Sequence, residues 1–492
     1  MPQPRLPDHA RSRLIGTLGS VLVGAGGAVA GALPVRDPLT GLAAVVELRR
    51  YPGVGVLAVG AGLALLVAAW WGLGRSAPTA RDLRITLLCW AIPLSVAPPL
   101  FSRDVYSYLA QGAMVRAGLD VYRTGPAALG GPLLAEVPAV WQHTPTPYGP
   151  VFLALATAVA SVCGPHPVLG VLGLRLVSVA SVALLAAVVP ALARRYGVAP
   201  ASALRLAVLN PLVLLHLVSG AHNDGPMVAL TAAGLAVAAV YRRPALGTVL
   251  VTLAALVKAP AALGLLFLVP IWAGELAGPA RPARAAAGTV GIAAGTAALV
   301  TTLTGTGYGW IGALQTPVSA HNWSLSSALG RITRLLLETL GSDLAAQAMA
   351  AWRTAGLVAG AALVVAAWLH RRRLGAVHAL GLGLLAVVLC GPALRPWYLL
   401  WGLVPFAVAA PAGRARAWAA AASAGLTVVI MPNGFAPHPA QIGQIALGAL
   451  VGLVLAAATL LPAGGAALLQ MLPGRPARPT GPPEPAGAGA PA

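Results

Sequence analysis

Long apolar stretches, separated by short polar or proline-rich breaks, run through most of the chain. Fourteen read as membrane-spanning helices: roughly 14–33, 54–73, 85–100, 168–193, 202–219, 226–241, 245–257, 259–274, 285–304, 352–370, 376–393, 397–411, 416–432 and 442–461. A bilayer core of about 30 Å takes about 20 mostly apolar residues per upright helix. One further run, 150–163, is too short to cross upright. The first run could imitate a signal peptide, but its length and the spans that follow favour a retained helix.

Arginines fill the breaks, and they set an orientation, because Lys and Arg gather in cytoplasmic loops. With the N-terminus inside, Arg11 and Arg13, Arg75, Arg81 and Arg84, Arg194 and Arg195, Arg242 and Arg243, Arg281 and Arg284, Arg371 to Arg373, and Arg414 and Arg416 all fall inside. If 150–163 crossed, every later cluster would move outside. It therefore reads as a re-entrant or tilted segment. The pattern predicts an all-α polytopic protein of the plasma membrane with about 13–15 transmembrane helices. Residues 1–472 read as one membrane domain, and the Pro-, Gly- and Ala-rich stretch 473–492 as a disordered cytoplasmic tail.

Composition narrows the class. Of 492 residues, 58% are hydrophobic and 9% charged. Soluble chains carry about 25% charged residues, so this one could not cover a water-facing surface. The net charge of +20 could suggest a polyanionic partner, but on this topology 20 of the 32 basic residues and only 4 of the 12 acidic ones are cytoplasmic. Most of the excess sets orientation, and no nucleic-acid partner is expected. Cys89, Cys163 and Cys390 lie in apolar runs and read as packing residues.

Two loops are long, 101–149 and about 305–351, and both fall outside. Long loops are usually functional or disordered, and these carry many Trp and Tyr residues. Chemistry is therefore expected on the extracytoplasmic face. In the first loop, Val105, Tyr108, Leu109, Gly112 and Val115 follow helical spacing, which predicts an amphipathic helix on the membrane surface. Asp104 stands at its start, either as a helix cap or as a carboxylate placed to take a proton. Asp37 and Glu47, near Arg36, Arg49 and Arg50, read as solvated charge. Glu136 lies further from any span end.

The loop closes with Trp141, His143 and Tyr148 in a stretch stiffened by three prolines. The aromatics are interface anchors or flat faces for sugar rings. His222, Asn223 and Asp224 make a polar outer turn that either only shapes the backbone or binds hydroxyls. Lys258 is the chain's single lysine and lies in a break between two apolar helices. A charge there is a functional hypothesis by default, with snorkelling to the surface as the alternative. Arg395, Trp397 and Tyr398 open another span on the same face. A cation beside aromatics suits a phosphate with an attached sugar or lipid. Together these groups suit transfer from a lipid phosphate: a base takes the acceptor proton and cations stabilise the leaving phosphate.

The ordered set Asp104-Val-Tyr106-Ser-Tyr108 with Gln111-Gly112, Thr144 to Pro150, Asn210-Pro211, His222 to Asp224, Lys258 before Pro260, and Arg395 to Tyr398 covers about residues 100–400. On these motifs the chain resembles the actinobacterial polyprenol-phosphate-mannose-dependent α-1,6-mannosyltransferases of the GT-C superfamily. The resemblance implies a helical GT-C fold and a base in the first outer loop, which would be Asp104. It implies a polyprenyl phosphomannose donor, inversion at the transferred carbon, and a mannan glycolipid acceptor of lipomannan or lipoarabinomannan type. Lys258 and Arg395 would hold the donor phosphate. Tyr106, Tyr108, Trp141, His143, Tyr148, His222, Asn223, Asp224, Trp397 and Tyr398 would contact substrate. Arg103 stands before Asp104 where some GT-C enzymes have a second acid, so no metal or other cofactor is expected. The alternatives are a hexosyltransferase for another glycolipid, or a transporter or flippase. A transporter would usually show internal repeats, and none is seen.

Overall fold

The structure, a computed structural model, describes residues 7–313, 323–434 and 438–460. The expected tail at 473–492 lies outside these, as does the middle of the second long loop. Among the described residues the fold is helical, with one isolated bridge between Met431 and Gly434. Six helices among the described residues are long and apolar enough to cross a membrane: Asp8–Ala30, Pro52–Leu73, Pro167–Arg195, Arg281–Thr304, Ala345–Leu369 and Pro439–Leu460. Shorter apolar helices, among them Pro150–Cys163, Asp224–Ala239, Pro244–Ala255 and Ala376–Cys390, lie between them. Proline opens many of these helices, where its missing N–H costs nothing.

The chain ends are knit together by glycine. Gly19 and Gly26 press on the Gly62 and Gly55 carbonyls, and Gly60, Gly448 and Gly452 bring Pro52–Leu73 against Pro439–Leu460. In lipid, such small residues let backbones approach where no hydrophobic drive operates between helices.

Two predicted elements differ. The apolar run 202–219 is not one helix. It breaks at Asn210-Pro211 into Pro200–Ala207 and a π turn, Val213–Ser219. Pro211 cannot donate to the preceding turn. Asn210 takes over, accepting from the Leu212 N–H (2.9 Å) and donating to the Ser423 hydroxyl (3.0 Å). The second difference is the first-loop helix, Asp104–Arg116. It forms where the spacing places it, but Val105 to Gly112 and Met114 are all buried. Pro150–Cys163 and Pro167–Arg195 cover it, with Gly112 seated on the Ala156 carbonyl. It lies within the protein and not on a bilayer surface.

Arg175, inside the apolar helix Pro167–Arg195, is 3% exposed. Its guanidinium donates to four carbonyls, those of Ser95 (2.8 Å), Ala97 (2.7 Å), Val218 (3.1 Å) and Ser219 (2.7 Å). It thereby ties the end of Ala80–Val96 to the turn leading into His222. Sequence reasoning missed it, although a lone charge in an apolar helix is a signal. Arg175→Met should cost at least about 2 kcal/mol, since each orphaned buried acceptor costs about 1–3 kcal/mol. Arg175→Lys should not rescue it, because an ammonium lacks the planar fork that reaches four acceptors. Melting of the detergent-purified variants, followed by size-exclusion chromatography, checks both.

Candidate active site

The π turn Val213–Ser219 carries the backbone into Ala221, at φ +51°, and then into helix Asp224–Ala239. π-Helical insertions and strained non-glycine residues cluster at functional sites. The turn was expected at an outer edge. It is instead enclosed: His222 is 0%, Asn223 1% and Asp224 0% exposed.

A buried carboxylate needs a partner. Lys258 supplies it from 34 residues away, its Nζ at 3.0 Å from both Asp224 oxygens. Lys258 sits in extended backbone between Pro244–Ala255 and the turn Ala259–Ala262, as its break in the apolar pattern predicts. The Trp401 indole also donates to Asp224. Lys258 lies over the Tyr398 ring at 4.6 Å, with Trp401 at 5.3 Å and Tyr148 at 5.8 Å. Its ammonium is thus held in an aromatic cage and does not snorkel. Trp401, three residues beyond the Arg395-Pro-Trp-Tyr motif, was not singled out from the sequence.

Asp104 does not cap its helix: Arg103 occupies the cap position and no side chain closes it. The Asp104 carboxylate faces inward, 21% exposed, with His222 Nδ1 at 3.8 Å. The Tyr108 hydroxyl meets the same nitrogen at 3.3 Å. Burial pushes the Asp104 carboxyl above the usual aspartate range, while the Arg395 and Lys258 charges and hydrogen bonds from Ser102 and Trp141 draw it down. Trp397 stacks on His222 at 3.8 Å, and Tyr148 meets Tyr108 edge to face at 5.4 Å. Buried around this cluster, His222 Nε2 and both polar atoms of the Asn223 amide have no partner among the described residues.

The first loop is docked by its motif residues. Thr146 donates to Gln111 (3.1 Å), and Gly149 lies against the Leu256 carbonyl, where a side chain would collide. This places Tyr148 beside Lys258. Arg103 does not replace a second acid in the site. It turns away to donate to Leu33 O (2.6 Å) and Glu136 O (3.1 Å). Glu136 is 1% exposed and accepts from the Val35 and Arg36 amides. It locks the loop to the segment that follows helix Asp8–Ala30. Asp37, expected to be solvated, has a side chain 6% exposed and pairs with Arg49 at 2.6 Å.

Asp104, Lys258, Arg395, Tyr108, Trp141, Tyr148, His222, Asn223, Asp224, Trp397 and Tyr398 therefore gather in one region. One candidate, Tyr106, does not. Tyr106 points its hydroxyl at Ala32 O (2.8 Å) under Arg103, so it anchors the fold. His143 is exposed, at the end of the short helix Ala139–Gln142. Among the described residues no three His, Cys, Asp or Glu side chains are grouped to hold a metal.

Fold and site together define an all-α polytopic membrane protein with an enclosed carboxylate, cations and aromatic walls. A family model for the α-(1→6)-mannopyranosyltransferase N-terminal domain matches residues 13–274, and one for the MptB C-terminal domain matches 326–460. The chain belongs to the α-(1→6)-mannopyranosyltransferase family. It is 37% identical over 447 residues to α-(1→6)-mannopyranosyltransferase A of Mycobacterium tuberculosis, covering 87% of this chain and 86% of that one. It is 30% identical over 479 residues to α-(1→6)-mannopyranosyltransferase B of Corynebacterium glutamicum, covering 89% and 80%. No solved structure matches the chain.

Proposed function

We propose that this chain transfers mannose, with inversion, from a polyprenyl phosphomannose to an α-1,6-mannan of lipomannan or lipoarabinomannan type, on the extracytoplasmic face of the plasma membrane. The observation that carries the reading is the gathering of Asp104, beside His222, with the Asp224–Lys258 pair and the aromatic wall of Trp397 and Tyr398 that follows Arg395. Asp104 takes the proton of an acceptor hydroxyl. That oxygen attacks C1 of the mannose from the face opposite the phosphate. The bond between C1 and the phosphate oxygen breaks, and its electron pair leaves on the phosphate. Arg395 and Lys258 stabilise the charge that grows there. Tyr148, Trp397 and Tyr398 provide flat faces for sugar rings, and Asn223 and His222 offer buried polar atoms for hydroxyls.

The test uses the purified full chain with radiolabelled polyprenyl phosphomannose and short α-1,6-mannosides. The expected result is labelled mannoside one unit longer, and no product from GDP-mannose alone. Product from GDP-mannose in the purified system would remove the lipid donor. Label entering a different glycolipid, and not the mannosides, would remove the acceptor.

A further inference from the structure

Helix Asp224–Ala239 starts in the candidate active site, and its far end, about 22 Å away at 1.5 Å per residue, borders a second cavity. This cavity, about 540 Å³, is lined by Arg195, Tyr196, Arg281, Trp368, Arg371 and Arg372, with apolar wall from Val269 to Ile271. Its volume falls in the range of about 300–1,000 Å³ usual for small-molecule sites. One carboxylate, Glu275, also borders it, but Arg242 holds that group at 2.6 Å. Four arginines thus line a space with little opposing charge.

Orientation of the chain in the bilayer accounts for arginine on this side, but not for how these are set. Arg371 is stacked on Trp368 at 3.9 Å and spends one donor on the Trp368 carbonyl (2.6 Å). Arg195 spends Nε on Ala239 O (3.1 Å). A guanidinium has five N–H donors in a rigid fork, so both are fixed by one bond with donors to spare. Arg281 stands in the first turn of the 24-residue helix Arg281–Thr304, where a cation opposes the helix dipole. An anion between it and Arg372 would relieve that conflict.

We infer that this cavity binds the phosphate of an anionic lipid headgroup, the guanidiniums taking the phosphate and Trp368 with the Val269–Ile271 wall taking the start of the acyl region. Basic pockets between transmembrane helices suit such headgroups, with each Arg contributing appreciably. The site is separate from Asp104 and does not depend on the mannosyl reading.

The experiment is native mass spectrometry of the full chain in detergent, titrated with phosphatidylglycerol, phosphatidylcholine or inorganic phosphate. Phosphatidylglycerol should be retained and phosphatidylcholine released. Arg281→Ala/Arg372→Ala should weaken phosphatidylglycerol retention about tenfold. Arg75→Ala/Arg81→Ala, which removes two exposed arginines from another loop, should change it less than twofold. Equal loss in both variants would mean bulk charge only and overturn the site. Displacement of the lipid by equimolar inorganic phosphate would assign the pocket to a soluble phosphate and overturn the lipid reading. Should the double variant not fold, photoactivatable phosphatidylglycerol on the wild-type chain decides. Crosslinks at 269–282 and 368–376 support the site, and crosslinks only elsewhere reject it.

Discussion

Asp104→Asn should lower mannosyl transfer by about 10²–10⁴-fold, the range a positioned general base supplies, with folding intact. Asparagine keeps the shape and the hydrogen bonds near Ser102 and Trp141 but cannot accept the proton. Because asparagine preserves those bonds and the Asp104 side chain is 21% exposed, the substitution should leave the melting temperature almost unchanged. The pH profile gives an independent check. The base works ionised, and burial raises its carboxyl above the usual aspartate range. The acid limb of kcat/KM should therefore lie above that of a solvated aspartate, with activity falling as pH drops through it. The limb should vanish in the residual activity of the variant. Normal turnover by Asp104→Asn would reject the assignment.

The second large effect concerns Lys258 and Asp224. Removing one partner of a buried ion pair costs about 3–5 kcal/mol, because the other charge is left without compensation. Lys258→Met and Asp224→Asn should each destabilise the fold by that order. The double variant should recover most of the loss, a coupling that a double-mutant cycle measures. Activity separates structure from chemistry. If Lys258 also faces the donor phosphate, the recovered double variant stays about 10²-fold slow, as expected for one lost charge-stabilising donor. If transfer recovers together with stability, the pair is a structural clamp and Arg395 alone serves the phosphate.

The two predictions differ in how visible their residues are along the chain. Lys258 stands out because it interrupts apolar sequence where a charge is costly, and Asp104 because it opens the helix of the first outer loop. Arg175 carries the same signal within the apolar run 168–193. Trp401 carried none: an aromatic in an apolar helix is ordinary, and its bond to Asp224 spans 177 residues. The opposite case is seen at Tyr106, and His143 is a further residue whose setting the motif does not reveal. Both lie in motif-bearing stretches, yet the Tyr106 hydroxyl turns to Ala32, since helix rotation decides which neighbour a side chain meets, and His143 is exposed.

Hydropathy, proline at helix starts and the arginine breaks are local properties, and local chemistry places most of the helices, though not the break within 202–219. Lipid leaves the backbone no other way to satisfy its hydrogen bonds. Partnership is a different matter. Lys258 meeting Asp224, Arg103 turning to Glu136 and Asp104 facing His222 join groups 33 to 118 positions apart. No periodicity encodes those distances. They follow from glycine-mediated packing, from the break at Pro211, and from the need of each buried charge for a partner once the helices have closed around it.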